Sequence, residues 1–272
     1  MDNNDLSACE LPDTGAPWSF RTEPSPRWVR VKFGGETIAD SKRVLLAFET
    51  GSLPVYYFPK EDVRMDLLVP SDYQYACSHK GIASYWSIRV KDRVSENAAW
   101  SYLTPNPAAK EIEGYISFYW SRTDAWFEEE TEVFVHARDP YTRVDAIPSS
   151  RHIQVVAGGE TIADSKRPVI VFETGLVTRY YLPIEDVRPG VLIPSEKTTR
   201  CPYKGIATYW DVKVGDKVYK DAVWSYQKPV GAVEEIAGLV CFYSEEMDAL
   251  YVDGQKWSLP SNQRLPYKRL EK

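Results

Sequence analysis

Short runs of alternating apolar and polar residues, each closed by a turn, recur along the chain. Val29-Arg30-Val31-Lys32-Phe33 alternates with period two, as a strand with one buried face does. Gly34-Gly35 turns the chain into Glu36-Thr37-Ile38-Ala39, Asp40-Ser41-Lys42 turns it again, and Val44 to Phe48 is a compact apolar strand. After a turn over Gly51 to Pro54 comes Val55-Tyr56-Tyr57-Phe58, where an extended backbone points Tyr56 away from Tyr57. Pro59-Lys60-Glu61-Asp62-Val63 reads as one helical turn or a bend. Ser84 to Val90, a turn at Lys91-Asp92 and a strand ending at Trp100-Ser101-Tyr102 predict a hairpin, and Gly114 to Trp120 adds a further strand. Only Pro107 to Glu113 and Gly231 to Ile236 look briefly helical. The strands follow too closely for crossover helices. The pattern predicts a mainly β chain of antiparallel sheets, as a sandwich, barrel or tent-like sheet, with few short helices.

The pattern occurs twice. Residues 34–43 read GGETIADSKR, and residues 158–167 read the same, an offset of 124 (158 − 34). Phe48-Glu49-Thr50-Gly51 returns as Phe172-Glu173-Thr174-Gly175, and Lys80-Gly81-Ile82-Ala83 as Lys204-Gly205-Ile206-Ala207. Tyr85-Trp86 returns as Tyr209-Trp210, and Trp100-Ser101-Tyr102 as Trp224-Ser225-Tyr226. A register shared over about ninety residues predicts a tandem duplication of one compact antiparallel β domain. The division expected is a flexible lead-in over 1–20, a first repeat with an acidic tail over 21–135, and a second repeat with a C-terminal extension over 136–272. That extension is mildly basic through Lys256, Arg264, Lys268, Arg269 and Lys272. In the acidic tail, Glu128-Glu129-Glu130-Thr131-Glu132 reads as a solvated edge and Val133 to His136 as a strand.

Composition narrows the function classes. A formal net charge of −6 argues against a general nucleic-acid binder. No apolar run reaches membrane-spanning length, and the first residues lack the basic and apolar parts of a signal peptide. Four cysteines, Cys9, Cys77, Cys201 and Cys241, are widely spread without a CxxC, which suggests a reduced, cytoplasmic protein. Three histidines, His79, His136 and His152, have no metal-binding spacing, and neither a dinucleotide loop, a Walker loop nor a GxSxG elbow is present. No metal or cofactor is therefore expected, and the expected partner is a small molecule.

Nine Trp, 18 Tyr and 9 Phe are more large rings than one small core needs, so some are expected to line a cleft. Lys80 and Lys204 each precede a glycine and a strand carrying Tyr and Trp. Each could neutralise an anionic ligand group, act as a base if burial lowered its pKa, or be a surface lysine. Glu49 and Glu173 are candidate proton acceptors, and Arg64 and Arg188 candidate anion clamps or partners of Asp62 and Asp186 in a structural ion pair. Tyr57, Tyr85, Trp86 and Trp100 would form the walls in the first copy, with Tyr181, Tyr203, Tyr209, Trp210 and Trp224 in the second. Cys77 and His79, two apart, could form a thiolate–imidazolium pair, but the second copy has Tyr203 at the histidine position.

The combination GGETIADS, Tyr-Tyr-Phe-Pro-x-Glu-Asp-Val-Arg, Cys-Pro-Tyr-Lys-Gly-x-Ala-x-Tyr-Trp and Ala-x-Trp-Ser-Tyr resembles the DUF427 family, over residues 28–121 and 152–245. The resemblance implies a compact, mostly β domain similar to the β-tent group, without the paired zinc-binding cysteines of many of that group's members. It marks Glu49, Tyr57, Arg64, Cys201, Tyr203, Lys204, Tyr209, Trp210, Trp224 and their counterparts as signature positions, from which the first copy departs at Ser78 and His79. The label nucleotidyltransferase-like is sometimes attached to the family, but this chain shows no glycine–serine phosphate motif followed by paired acids. The favoured reading is a domain that binds a small anionic or aromatic molecule and could act on it as an enzyme using Lys, Tyr, Arg and Glu; the alternatives are a non-catalytic structural or protein-interaction module and a nucleotidyltransferase-like enzyme.

Overall fold

The computed structural model describes residues 17–260. These divide into two units that meet between Asp139 and Pro140. Most of the expected 1–20 lead-in and the tail residues Arg264, Lys268, Arg269 and Lys272 lie outside the described residues, as does Cys9.

The first unit has strands β1 (Phe20–Pro24), β2 (Val29–Phe33), β3 (Glu36–Ser41), β4 (Leu45–Glu49), β5 (Val55–Pro59), β6 (Leu68–Cys77), β7 (Gly81–Val90), β8 (Arg93–Tyr102), β9 (Tyr115–Phe118), β10 (Ala125–Glu128) and β11 (Thr131–Val133). They form a seven-stranded sheet, β1-β4-β5-β9-β8-β7-β6, and a four-stranded sheet, β11-β10-β2-β3. In the second unit β12 (Val144–Pro148), β13 (Ile153–Ala157), β14 (Glu160–Ser165), β15 (Val169–Glu173), β16 (Arg179–Leu182) and β17 (Leu192–Cys201) are followed by β18 (Gly205–Val214), β19 (Lys217–Pro229), β20 (Val240–Phe242), β21 (Ala249–Val252) and β22 (Gln255–Lys256). Their sheets run β12-β15-β16-β20-β19-β18-β17 and β14-β13-β21-β22, the same order strand for strand. The ladders between named strands are antiparallel. The helices are short 3-10 turns, including Lys60–Asp62, Pro107–Ile112 and Gly231–Ile236. Among the described residues, none is long and apolar enough to cross a membrane.

The duplicated glycines work as turns. Gly34 has φ +60, and a Cβ there would sit 2.8 Å from Val90 Cβ, so it needs both the left-handed backbone and the missing side chain. Gly158 repeats this against Val214. The sheet does not end at Asp40: β3 runs on to Ser41, and Asp40 accepts a bond from Trp28 Nε1 (2.6 Å) instead of closing a turn.

Each seven-stranded sheet buries two faces, and period two sorts its residues between them. In the first unit Leu46, Tyr56, Phe58, Ile88 and Ala99 face the small sheet, meeting Val29, Val31, Ile38 and Trp126. Ala47, Tyr57, Cys77, Ala83, Tyr85 and Tyr102 point the other way and pack on Ala109 and Ile112 of the 3-10 turn. The second unit repeats both layers.

Strands β6 and β17 had no sequence-level prediction. They are sheet edges, largely exposed, with polar residues and a proline in place of apolar alternation. The ladder shifts register between Pro70 and Gln74. The strand expected over Val133 to His136 is instead Thr131–Val133, because Val135 takes φ +72 and ends it. The acidic run is likewise not all solvated: Glu128 is 2% exposed. It accepts bonds from Tyr56 Oη (3.0 Å) and from Arg138 Nη2 (2.8 Å), and Arg27 lies at 3.2 Å. Burial, then the nearby carboxylate, pushes the Tyr56 phenol up to about 12.

Candidate functional site

The residues on the second buried face of each large sheet make the candidate site. In the first unit β4 ends at Glu49, and the turn between β6 and β7 carries Lys80. Their side chains meet with Nζ 2.5 Å from Oε2 and are 3% and 5% exposed. Trp18 Nε1 donates to the other Glu49 oxygen (3.0 Å) and stacks on His79 at 4.3 Å. The backbone N–H of Lys80 points at Cys77 Sγ (3.4 Å), and Asn106 donates from Nδ2 to the carbonyls of Ser78 and His79. The lysine is thus fixed by a built turn. In the second unit Lys204 meets Glu173 at 2.5 Å, both side chains 12% exposed. Burial alone would lower the Lys204 pKa, but Cys201 and Glu173 outweigh it and hold the ammonium above its ordinary value.

A small cleft opens beside the first pair, lined by Phe20, Ala47, Glu49, Leu53, Val55, Tyr57 and Lys80. Its enclosed part is about 10 Å³, of the order of one water molecule. An aromatic row runs on from it along the same face. Tyr57 meets Trp100 edge-on at 6.5 Å, Trp100 lies 4.4 Å from Tyr119, Tyr119 stacks at 6.4 Å on Tyr85, and Tyr85 meets the exposed Tyr73 at 4.8 Å. Burial, first of all, raises the pKa of Tyr57 and Tyr85, and the Tyr119 hydroxyl adds to it at Tyr85. These phenols stay protonated at neutral pH. Ser117, opposite Trp100 in the ladder, is fully buried, and its Oγ has no hydrogen-bond partner within the chain.

The second unit keeps the framework and changes the lining. Trp224 lies 4.2 Å from Tyr243 and donates to Tyr181 Oη (3.0 Å). Arg179 stands at the position of Val55, and its guanidinium lies over both Trp224 (5.4 Å) and Tyr243 (5.3 Å). Glu245, at the position of Ser121, holds it through two bonds of 2.6 and 2.8 Å. Cys241 replaces Ser117.

The structure thus joins Glu49 with Lys80, Glu173 with Lys204, and sets Tyr57, Tyr85, Trp100, Tyr181, Tyr209 and Trp224 on those same faces. Tyr203 is half-buried in the turn beside Lys204. Four expected residues lie elsewhere. Trp86 and Trp210 follow Tyr85 and Tyr209 directly, so the pleat turns them to the opposite, inter-sheet core. Arg64 binds Asp66 at the surface and Arg188 binds Glu160, far from the role of a clamp over the lysines. Nor do they pair with Asp62 and Asp186, which bind Arg43 and Arg167. Cys77 is buried while His79 is exposed and stacks on Trp18, so the two side chains of the expected thiolate–imidazolium pair sit in different surroundings.

Sequence reading missed the Lys–Glu pairing itself, Trp18, Ser117 and the Arg179–Glu245 exchange. The exchange was readable from the repeat alignment, which sets Val55 against Arg179. The pairing needed the sheet order, which brings residues 31 apart into contact. Among the described residues, no three His, Cys, Asp or Glu side chains gather as a metal site.

No curated protein matches the chain. One family model does, over residues 21–129 and again over residues 145–253. The two matched stretches start and end at the same places in the repeated fold, β1 to β10 and β12 to β21. The chain therefore belongs to the family described as a domain of unknown function, DUF427.

Proposed function

We propose that the first unit is a non-catalytic binding module for a small molecule with a flat or apolar body, and that the corresponding face of the second unit is structural. The observation that carries this is the cleft beside the Glu49–Lys80 pair, continued by a row of rings on one sheet face. Aromatic walls with a few fixed polar groups are the usual make-up of a ligand site. The enclosed part is small, so a ligand enters by one end and lays its body along Trp100 and the tyrosines.

Holding fits this site better than proton transfer. A general base needs a pKa near neutrality, which for a lysine means a lowered one. In this site the Tyr57 and Tyr85 phenols are raised, away from neutrality, and at the corresponding lysine position of the second unit Lys204 is raised too. No observation favours nucleotidyl transfer. The structural reading of the second unit rests on Arg179, which covers Trp224 and leaves it 6% exposed, whereas Trp100 is half-buried.

The test is a thermal-shift and tryptophan-fluorescence screen of chemically diverse small molecules against the whole chain. Hits should lose affinity in Val55→Phe, which fills the cleft, and in Trp100→Leu, while the equivalent Trp224→Leu leaves their affinity unchanged. Hits indifferent to Val55→Phe, or no hit at all, would overturn the reading.

A further inference from the structure

The two units place the same pair of rings in nearly the same geometry. Trp100 and Tyr119 lie 4.4 Å apart at 39°, and Trp224 and Tyr243 lie 4.2 Å apart at 40°. In the second unit a guanidinium from the chain itself lies over that pair and is anchored by Glu245. In the first unit Val55 and Ser121 stand where Arg179 and Glu245 stand, and Val55 lines the cleft. Arg122 approaches Tyr119 from within the chain at 5.1 Å, held by the carbonyl of Glu96, while among the described residues no cation lies over Trp100.

We infer that the first unit's cleft takes a ligand bearing a guanidinium group, which lies over Trp100 and Tyr119 as Arg179 lies over Trp224 and Tyr243. This rests on the binding role proposed above and names the chemistry of the ligand's polar end. Ring faces are negative and attract a flat cation, and the attraction grows as the site is freed of water. A guanidinium suits the slot better than an ammonium, because it is planar and weakly hydrated. One feature of the first unit permits it. Lys80 is neutralised by Glu49 at 2.5 Å, so the neighbouring cation does not repel the ligand with a full charge. The formal charge of −6 favours the approach of a cation over that of an anion.

The same comparison supplies the experiment. Methylguanidinium and the peptide Gly-Arg-Gly are titrated into the ¹⁵N-labelled full chain, with methylurea as the uncharged isostere, following the Trp indole N–H resonances. Methylguanidinium or the peptide should shift the Trp100 resonance and methylurea should not; the stronger of the two cations tells whether a free metabolite or an arginine side chain is the natural source. Val55→Arg combined with Ser121→Glu rebuilds the second unit's arrangement in the first and should weaken binding about tenfold or more. Arg179→Val combined with Glu245→Ser should create a second site, moving the Trp224 resonance on titration. Near-UV circular dichroism confirms that each variant is folded. Equal binding of methylurea, or affinity unchanged within about twofold in the rebuilt first unit, overturns the inference. So does a cleft that binds screening hits sensitive to Val55→Phe but no guanidinium, and in that case the binding role itself stands.

Discussion

Replacing Lys80 by Met tests whether the buried pair is held together by charge. Unit charges 2.5 Å apart attract by roughly 7 kcal/mol at an effective dielectric of about 20. Most of that is offset by the cost of taking both ions out of water. Removing one partner leaves Glu49 buried with, among the described residues, only Trp18 Nε1 to bond it, and such a broken pair costs about 3–5 kcal/mol. Removing both, in Lys80→Met with Glu49→Leu, eliminates the stranded charge and should restore most of the loss. The second unit is an internal control. Lys204 and Glu173 are each 12% exposed, against 3% and 5% for the first pair, so water relieves part of the penalty and Lys204→Met should cost less. Urea unfolding of the full chain at pH 7 gives the midpoints, and the double-mutant cycle gives the coupling. A loss below about 1 kcal/mol for Lys80→Met, or a double variant no more stable than the single one, would refute the reasoning.

Other outcomes follow from the same geometry. Gly34→Ala should cost about 2–4 kcal/mol, because the left-handed backbone penalty adds to overlap with Val90, whereas Gly35→Ala meets nothing within 4 Å and should cost about 1–2 kcal/mol; thermal unfolding orders the two. Glu128→Gln leaves Arg27 and Arg138 without their carboxylate, and because both are about a third exposed the loss should be about 2–3 kcal/mol by urea titration. Acid should weaken the fold in a defined window. Burial would raise the Asp62 pKa, but bonds from Arg43 and Ser41 hold it below the ordinary aspartate value, and Arg167 does the same for Asp186. A depressed folded pKa contributes stability that is complete above the unfolded value near 3.8 and is lost as pH falls through the folded one. Asp62→Asn should therefore flatten the pH dependence of the urea midpoint below about pH 4, and an unchanged slope would contradict the assignment.

Sequence alone determined a great deal here, because its two strongest signals are local. Period-two alternation from Val29 to Phe33 marks a strand whatever surrounds it, and glycines at 34 and 35 mark a turn because few other residues accept that backbone. The repeated GGETIADSKR fixed a register of 124 that the structure keeps strand for strand. What escaped was decided by neighbours distant in sequence. Edge strands β6 and β17 bury little besides their end residues, so no apolar alternation marks them. Trp86 looks like a wall residue beside Tyr85, but the pleat of β7 sends it to the other core. Glu128 sits in an acidic run, yet Arg27 and Arg138 close over it. Lys80 and Glu49 carry no signal of each other, since only the order of strands in the sheet sets them face to face. Local backbone preference can be read from a few adjacent residues, whereas the partner of a buried charge is chosen by the packing of the whole unit.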